Sequence, residues 1–176
     1  MQRIYEFGFG VEAYVALEGH RQVVPGGCPR CGGGLQRHGS YGRGVSGERG
    51  AVVELRVARF LCRGCRRTVS YLPSFCLSYR LVGVATVEAY LEGRHGGRDV
   101  QARSDLLAEY VRRMRGFARE LVRRVGFGLG RSPPAGVWVW PWLREACGGL
   151  AAATRQLVTQ YEVTIFRRYQ CHQKAG

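Results

Sequence analysis

Two Cys-x-x-Cys motifs are the residues of this chain best suited to chemistry: CPRC at Cys28–Cys31 and CRGC at Cys62–Cys65. Four thiolates presented by two tight turns match the tetrahedral coordination of structural Zn²⁺. The segment between the motifs is longer than is usual for this pattern. It is typical of a strand–turn–strand hairpin, which brings its own ends together. We expect Gly32 and Gly64 to relieve crowding where the backbone approaches the sulfurs.

Redox dithiols and unrelated buried thiols are the alternatives. A redox motif opens a helix in a βαβ context, whereas CPRCGGG continues into glycines and CRGCRRT into a strand. The residues therefore favour one structural zinc ion with no open coordination position. The surrounding segment has few apolar residues for a core of its own, so loss of a ligand, as in Cys62→Ser, is expected to unfold residues 23–75.

The charge of the chain indicates a polyanionic partner. Its 176 residues carry 27 basic and 13 acidic side chains, a formal net charge of +14, and every basic residue except Lys174 is arginine. A long-range positive field attracts polyanions, and the guanidinium fork suits phosphate and guanine. We expect duplex DNA as the partner, with RNA as the alternative.

Basic residues cluster beside both motifs and along one long predicted helix. Near the motifs they alternate with Tyr41, Phe60 and Tyr71, a mixture suited to phosphates and to base or sugar rings. A solvated basic face is the alternative. The nucleic-acid-binding candidates are Arg30, Arg37, His38, Arg43, Arg59, Arg63, Arg66 and Arg67 at the motifs, Arg112, Arg115, Arg119 and Arg123 on the helix, and Arg167 and Arg168 near the C-terminus.

The pattern of apolar residues predicts an α+β fold, with a zinc-binding β-hairpin region followed by an α-helical part. We expect strands at 35–41, 52–61 and 68–72, a flexible turn at 42–50 and a loop at 95–103. The predicted segments are an unassigned, helical or irregular N-terminus at 1–22, a zinc ribbon at 23–80, a helical region at 81–130, and a linker with a C-terminal helical unit at 131–176.

The clearest predicted helix spans Ser104–Val125. Ser104 is expected to cap it, and the pairs Glu109–Arg113 and Glu120–Arg124 stand in the favoured i,i+4 order. Apolar residues recur every three or four positions and form a seam for another helix. The seam residues are Leu107, Val111, Met114, Ala118, Leu121 and Val125.

The sequence AATRQLVTQYEVTIFRRY is a candidate helix-turn-helix. Thr164 would cap its second helix, which would carry Arg167 and Arg168. Glu162 replaces the usual turn glycine, so a single amphipathic helix is the alternative.

The segment VWVWPW is the apolar peak of the chain, and Trp138–Trp142 is expected to anchor the C-terminal unit against the long helix. Exposure of this segment, or of the 104–125 helix, would instead provide a surface for a protein partner. A protein–protein adaptor is therefore an alternative function.

The string CPRCGGGLQRHGSYGR … RFLCRGCRRTVSYLPSFCLSYR resembles the zinc-ribbon region at the N-terminus of bacterial insertion-sequence transposases. It is closer still to short solo proteins of unassigned function that share this ribbon. The resemblance covers about residues 25–95 and, loosely, the C-terminal ATRQLVTQYEVTIFRRYQCH. It implies DNA binding through the ribbon and the following helices, with Cys28, Cys31, Cys62 and Cys65 as metal ligands.

The sequence does not indicate catalysis. A transposase nuclease needs two or three carboxylates that hold two metal ions, whereas the only aspartates are Asp99 and Asp105, one in a predicted loop and one at a helix start.

No apolar run reaches the length of a membrane span, and glutamates interrupt the N-terminal segment, which excludes a signal peptide. We therefore expect a non-enzymatic cytoplasmic protein with reduced thiols.

Overall fold

The computed structural model describes residues 1–46, 51–78 and 80–168. The chain forms two compact units, Met1–Gly83 and Val84–Gly176. Strands lie mainly in the first unit and helices in the second, so the predicted α+β class is confirmed. The division falls three residues after the predicted ribbon boundary at 80. Residues 1–22 belong to the first unit, and 131–176 belong to the second.

The first unit is built on a four-stranded sheet. Its elements are β1 (Gln2–Tyr5), α1 (Val11–Ala16), a 3₁₀ turn (Gly19–Arg21), β2 (Leu35–Ser46), β3 (Val52–Cys62) and β4 (Thr68–Pro73). The strand order is β1-β4-β3-β2. Strands β2, β3 and β4 pair antiparallel, and β1 pairs parallel with β4.

The N-terminal strand was not predicted, since residues 1–22 were expected to be helical or irregular. β1 has four residues, too few for a clear alternation of apolar and polar side chains. It forms because β4 offers a free edge, with Gln2 opposite Ser70 and Ile4 opposite Leu72. A parallel pairing across such a separation in sequence leaves no local signal.

Strand β2 is longer than predicted and includes residues 42–46, which were expected to lie in a flexible turn. The hairpin tip at 47–50 lies outside the described residues. The pairing with β3 shifts between Arg37 and Ser40, where Gly39 has φ 94°. This irregularity has the form of a β-bulge, in which glycine supplies the positive φ.

The first unit has its own apolar core, so the prediction that this region lacks one was wrong. On one face of the sheet, Leu55 and Val57 of β3 pack with Val11 and Tyr14 of α1, in a cluster that also includes Val45, Leu72 and Cys76. On the opposite face, a second buried cluster comprises Val23, Ala58, Phe60, Val69 and Tyr71. Both faces of β3 are therefore covered over part of its length. Part of the missing signal was the contribution of Val11 and Tyr14, which precede the predicted ribbon at 23–80.

The second unit contains five helices and a short hairpin among its described residues. They are α2 (Val84–Leu91), α3 (Arg98–Gln101), α4 (Ser104–Val125), α5 (Trp140–Cys147), α6 (Leu150–Gln160), β5 (Val163–Thr164) and β6 (Arg167–Arg168). The single turn of α3 occupies the predicted loop at 95–103.

Helix α4 has the predicted bounds and the predicted apolar seam, except that Tyr110 is buried where Val111 was expected. Ser104 is its first residue and makes no capping bond, so the predicted cap was wrong. The predicted pairs are confirmed, with Nε–Oε1 distances of 2.6 Å for Arg113–Glu109 and 2.9 Å for Arg124–Glu120.

The second helix of the predicted helix-turn-helix is not formed, and a single helix does not run through this segment either. Helix α6 ends at Gln160, and Glu162 has φ 51°. Val163 then pairs with Arg168 in an antiparallel hairpin. Thr164 starts no helix, and its Oγ1 accepts a bond from the Phe166 amide at 3.2 Å. Burial of all four residues from Val163 to Phe166 outweighs the helical pattern.

The tryptophan segment is largely buried. Trp140 and Trp142 are 2% and 6% exposed, and the Arg115 guanidinium of α4 lies 5.2 Å from the ring centre of Trp138. Two of the three indoles are therefore buried within the second unit. Among the residues that the structure describes, no helix is both long and apolar enough to span a membrane.

Candidate metal centre

The β2–β3 hairpin brings the two cysteine motifs together. Cys28 and Cys31 precede β2, and Cys62 is the last residue of β3. Leu35, which begins β2, pairs directly with Cys62. The Arg63 amide donates to the Gly34 carbonyl at 3.4 Å and adds a second link between the motifs. The length of the intervening segment therefore does not separate them, as the sequence predicts.

Each motif forms a turn closed by two backbone hydrogen bonds. In knuckle 1 (Cys28–Gly33), the Gly32 amide donates to the Cys28 carbonyl at 2.8 Å. The Cys28 amide donates to the Gly33 carbonyl at 2.8 Å. Gly32 has φ 71°, in the left-handed region that glycine adopts without steric cost.

Knuckle 2 (Cys62–Arg67) repeats this turn residue for residue. The Arg66 amide donates to the Cys62 carbonyl at 3.0 Å, and the Cys62 amide donates to the Arg67 carbonyl at 2.9 Å. Arg66 has φ 58° and therefore occupies the position that Gly32 holds in knuckle 1. Two equivalent turns face each other, which is the arrangement that a four-thiolate site requires.

The four sulfurs form one compact cluster. All four Sγ atoms lie within 4.8 Å of one another, with Cys28–Cys65 at 3.6 Å and Cys31–Cys62 at 3.5 Å. Tetrahedral Zn–S bonds of about 2.3 Å place sulfurs about 3.8 Å apart. The cluster is close to this size, and the described cysteines are free thiols. These residues can therefore hold a metal ion.

The thiols differ in acidity because of their neighbours. The Cys65 amide donates to Cys62 Sγ at 3.5 Å, and this bond, supported by the neighbouring thiols, lowers the pKa of Cys62 to about 6. A backbone bond at Arg67 lowers the pKa of Cys65, but burial and the neighbouring thiols outweigh it and raise that pKa to about 11. One thiolate is thus stabilised by the turn itself, whereas the full set needs a cation to balance its charge.

The glycines around the cluster are not needed to relieve crowding at the sulfurs. A Cβ added at Gly64 would lie 3.7 Å from Cys31 Sγ, and one at Gly33, which the sequence did not single out, would lie 3.4 Å from the same atom. Both are ordinary contact distances, so the prediction that Gly64 relieves crowding was wrong. A Cβ at Gly32 would meet nothing within 4 Å, so the prediction that Gly32 relieves crowding was wrong. Gly32 instead provides the positive φ of the turn.

Three of the predicted nucleic-acid-binding residues, Arg30, Arg63 and Arg66, are exposed on the two knuckles. Arg63 Nε donates to Gln36 Oε1 at 2.8 Å, which orients its guanidinium. The sequence has no acidic residue between Glu54 and Glu88. The knuckles therefore carry positive charge without a carboxylate from their own part of the chain.

Arg37 and Arg43 bind other parts of the first unit. Arg37 lies over the Phe60 ring at 5.2 Å, and its Nη2 donates to the Arg21 carbonyl at 3.1 Å. Arg43 Nη2 donates to the carbonyls of Leu77 and Arg80, the latter at 2.7 Å. His38 is exposed on β2, while Arg59 and Arg67 are half-buried.

The candidate arginines of α4 are divided between ion pairs and other contacts. Arg112 pairs with Glu109, and Arg123 pairs with Glu120 at 2.6 Å. Arg115 lies over Trp138. Arg119 is exposed and makes no ion pair within the described part of the chain. Arg167 and Arg168 lie in β6, and the structure describes only their backbone.

Arg56 and Gln36 are polar residues near the site that were not predicted from the sequence. Arg56 is exposed on β3, and its Nε donates to Ser40 Oγ at 3.0 Å on the neighbouring strand. The alternation of β3 places Arg56 on a polar position, so the signal was present. The role of Gln36 follows only from the pairing of Leu35 with Cys62, which places it beside knuckle 2.

Comparison with known proteins yields one match. Residues 28–113 match a family described as Domain of unknown function (DUF6431). The match begins at the first candidate ligand, includes all four cysteines and extends into α4. None of the curated proteins and none of the solved structures matches the chain. No comparison links it to transposases.

Proposed function

We propose that this chain binds duplex DNA through the two knuckles, which a structural zinc ion holds in place, and that it catalyses no reaction. The observation that carries the proposal is the group of exposed arginines, Arg30, Arg63 and Arg66, on turns whose sulfurs can share one ion. Rigid turns that present guanidinium groups lose little conformational freedom when they meet phosphates.

Zinc is the ion that the ligand set favours. Four thiolates are soft ligands, and a tetrahedral Cys₄ set is typical of structural zinc. With all four positions filled by protein, the ion has no position for water or substrate. We therefore propose a structural and not a catalytic role for it.

Charge distribution supports a polyanionic partner. The stretch between Glu54 and Glu88, which includes knuckle 2, contains no acidic residue. Contacts of this kind go to phosphates and make binding depend on salt and not on base sequence. The resemblance of the sequence to the zinc ribbons of insertion-sequence transposases favours DNA over RNA, and we propose a relation to those proteins on that resemblance.

The test is binding of the metal-loaded full chain to a fluorescein-labelled DNA duplex, followed by anisotropy across a salt series. A single-stranded RNA of the same sequence serves as the competitor. We expect affinity to fall with salt by about 0.9 log units per log unit for each phosphate contact. Unlabelled duplex DNA, used as a second competitor, should displace the labelled duplex more strongly than the RNA does. Absence of binding at low salt, with the fold intact, would refute the proposal, and stronger competition by RNA would assign the partner to RNA.

The metal is identified separately. Native mass spectrometry of the purified chain should show one zinc ion per molecule. Replacement by Co²⁺ should give the intense visible absorption of a tetrahedral thiolate complex. A chain that purifies and folds without metal, and that takes up no Co²⁺, would contradict the zinc assignment.

A further inference from the structure

The two knuckles share one turn but differ at the residue that follows the second cysteine. Gly32 holds this position in knuckle 1 with φ 71°, and Arg66 holds it in knuckle 2 with φ 58°. Both amides donate to the carbonyl of the first cysteine of their knuckle. Because the two turns are equivalent and glycine adopts this conformation freely, glycine is the residue that the backbone favours after the second cysteine.

Arginine at this position is sterically unfavourable. In the left-handed region the Cβ of an L-residue crowds its own backbone carbonyl, which is why residues other than Gly, Asn and Asp seldom occur there. A residue kept in a disfavoured conformation is a reason to look for a role of its side chain. Among all described residues, only Glu18, Arg66 and Glu162 are non-glycine residues with positive φ.

Arg66 is exposed on knuckle 2. Arg37 and Arg43 donate to backbone carbonyls of other segments. Arg66 contributes its amide to the turn, a contact that any residue except proline can make. Glycine would therefore close the same turn with less strain, so the fold alone does not account for the guanidinium.

We propose that Arg66 is the principal polyanion contact of knuckle 2, retained at a cost in stability because its guanidinium binds a phosphate of the nucleic-acid backbone. This inference rests on the proposed function. It makes knuckle 2 the stronger binding half of the metal centre. The neighbouring Arg63, held by Gln36, is a second contact on the same turn.

Stability and binding should therefore respond in opposite directions to Arg66→Gly. We expect a higher denaturation midpoint in the metal-loaded full chain, because glycine relieves the backbone. We also expect weaker binding to labelled duplex DNA, with the slope of log affinity against log salt shallower by about 0.9. Arg66→Lys should keep the slope and the wild-type midpoint, because it keeps both the charge and the strain.

Two matched variants complete the test. Arg63→Gly removes the same charge from an unstrained position of the same knuckle, so it should lower both the midpoint and the affinity. Arg94→Ala removes one charge from an exposed arginine of the second unit, which pairs with Glu92 at 2.7 Å, and should change neither.

A wild-type slope for Arg66→Gly, in a chain whose wild type binds DNA, would overturn the role of Arg66 and leave the proposed function standing. A lower midpoint for Arg66→Gly would also overturn it, because Arg66 would then be a structural residue. Failure of the wild type to bind DNA at low salt would refute the proposed function and this inference together.

Discussion

The guanidinium of Arg37 lies 5.2 Å from the centre of the Phe60 ring and holds the segment that precedes knuckle 1 against the sheet. Its Nη2 donates to the Arg21 carbonyl at 3.1 Å. This segment includes Val23, which belongs to the apolar cluster around Phe60. An arginine that the sequence assigns to nucleic acid thus also contacts the core of the first unit.

Arg37→Ala should therefore act on stability. Loss of the ring contact and of the carbonyl bond should lower the free energy of unfolding by about 1 kcal/mol, measured by urea denaturation of the metal-loaded chain. Arg30→Ala is the control, because Arg30 is exposed on knuckle 1, and we expect a change within about 0.5 kcal/mol. Equal changes for the two variants would show that Arg37 does not brace the core.

Loss of a metal ligand should loosen the knuckles before the sheet. Cys62→Ser removes one thiolate, and we expect the chain to lose its metal. Amide hydrogen exchange should then rise first at the knuckle amides, such as that of Arg66. The amide of Phe60 should stay protected longer, because it lies in the core of the sheet.

Cys76→Ala is the control for that experiment, since Cys76 is buried away from the four-sulfur cluster and its loss should leave the metal bound. Simultaneous exchange throughout residues 23–75 of the Cys62→Ser chain would contradict the account. It would instead support the expectation, drawn from the sequence, that this segment folds only around its metal.

Glu88 should contribute to the stability of the second unit by capping α6. The Leu150 amide at the start of that helix donates to Glu88 Oε1 at 2.9 Å. A carboxylate at a helix N-terminus satisfies an unpaired amide and interacts favourably with the helix dipole. Glu88→Ala should lower the free energy of unfolding by about 1 kcal/mol.

Glu145→Ala is the matched control for Glu88, because Glu145 is 55% exposed and pairs only with Arg131 at 3.3 Å in the described part of the chain. We expect it to change the free energy of unfolding by less than about 0.5 kcal/mol. Thermal denaturation followed by circular dichroism compares the two. If Glu88→Ala lowered the free energy of unfolding no more than the control does, the cap would not contribute to stability.

The stability of the first unit should fall in alkali because of Cys76. Burial raises the pKa of this thiol to about 12, with Arg43 opposing the rise. The unfolded thiol ionises at an ordinary pKa of 9.0, whereas the folded thiol stays neutral. The contribution of this neutral thiol is therefore complete below pH 9 and is lost as the pH rises toward 12.

Cys76→Ala should be less stable than wild type at neutral pH by about 1–2 kcal/mol, since it leaves a small cavity. Its free energy of unfolding should fall less steeply between about pH 9 and about pH 11. Urea denaturation of the metal-loaded chain at several pH values measures the slope. Parallel slopes for wild type and variant would show that the Cys76 thiol does not titrate in this range.

The sequence was sufficient to predict the cluster of four cysteines because its signal is local. Two Cys-x-x-Cys motifs stand at the ends of two segments with strand-like alternation, and a hairpin of these segments brings the motifs together. The pairing of Leu35 with Cys62 shows this predicted hairpin. The helix Ser104–Val125 was equally clear, because its seam repeats over about five turns.

The features that were missed depend on partners distant in sequence. β1 forms only against β4, and its residues carry no alternation of their own. The sequence alone does not distinguish Arg37 and Arg43 from Arg30. Only tertiary packing shows which guanidinium group donates to a backbone carbonyl. At the C-terminus, a helical pattern was overridden by burial of Val163 and Ile165 in and beside a two-residue strand.

The most direct test of the account compares two triple variants of the metal-loaded chain in duplex DNA binding across a salt series. Arg30, Arg63 and Arg66 are changed to Ala in the first, and Arg112, Arg123 and Arg124 in the second, so the loss of charge is equal. We expect the slope of log affinity against log salt to become shallower by about 2.7 in the knuckle variant and to stay at the wild-type value in the α4 variant. An unchanged slope in the knuckle variant, or an equal loss in both, would contradict binding through the knuckles.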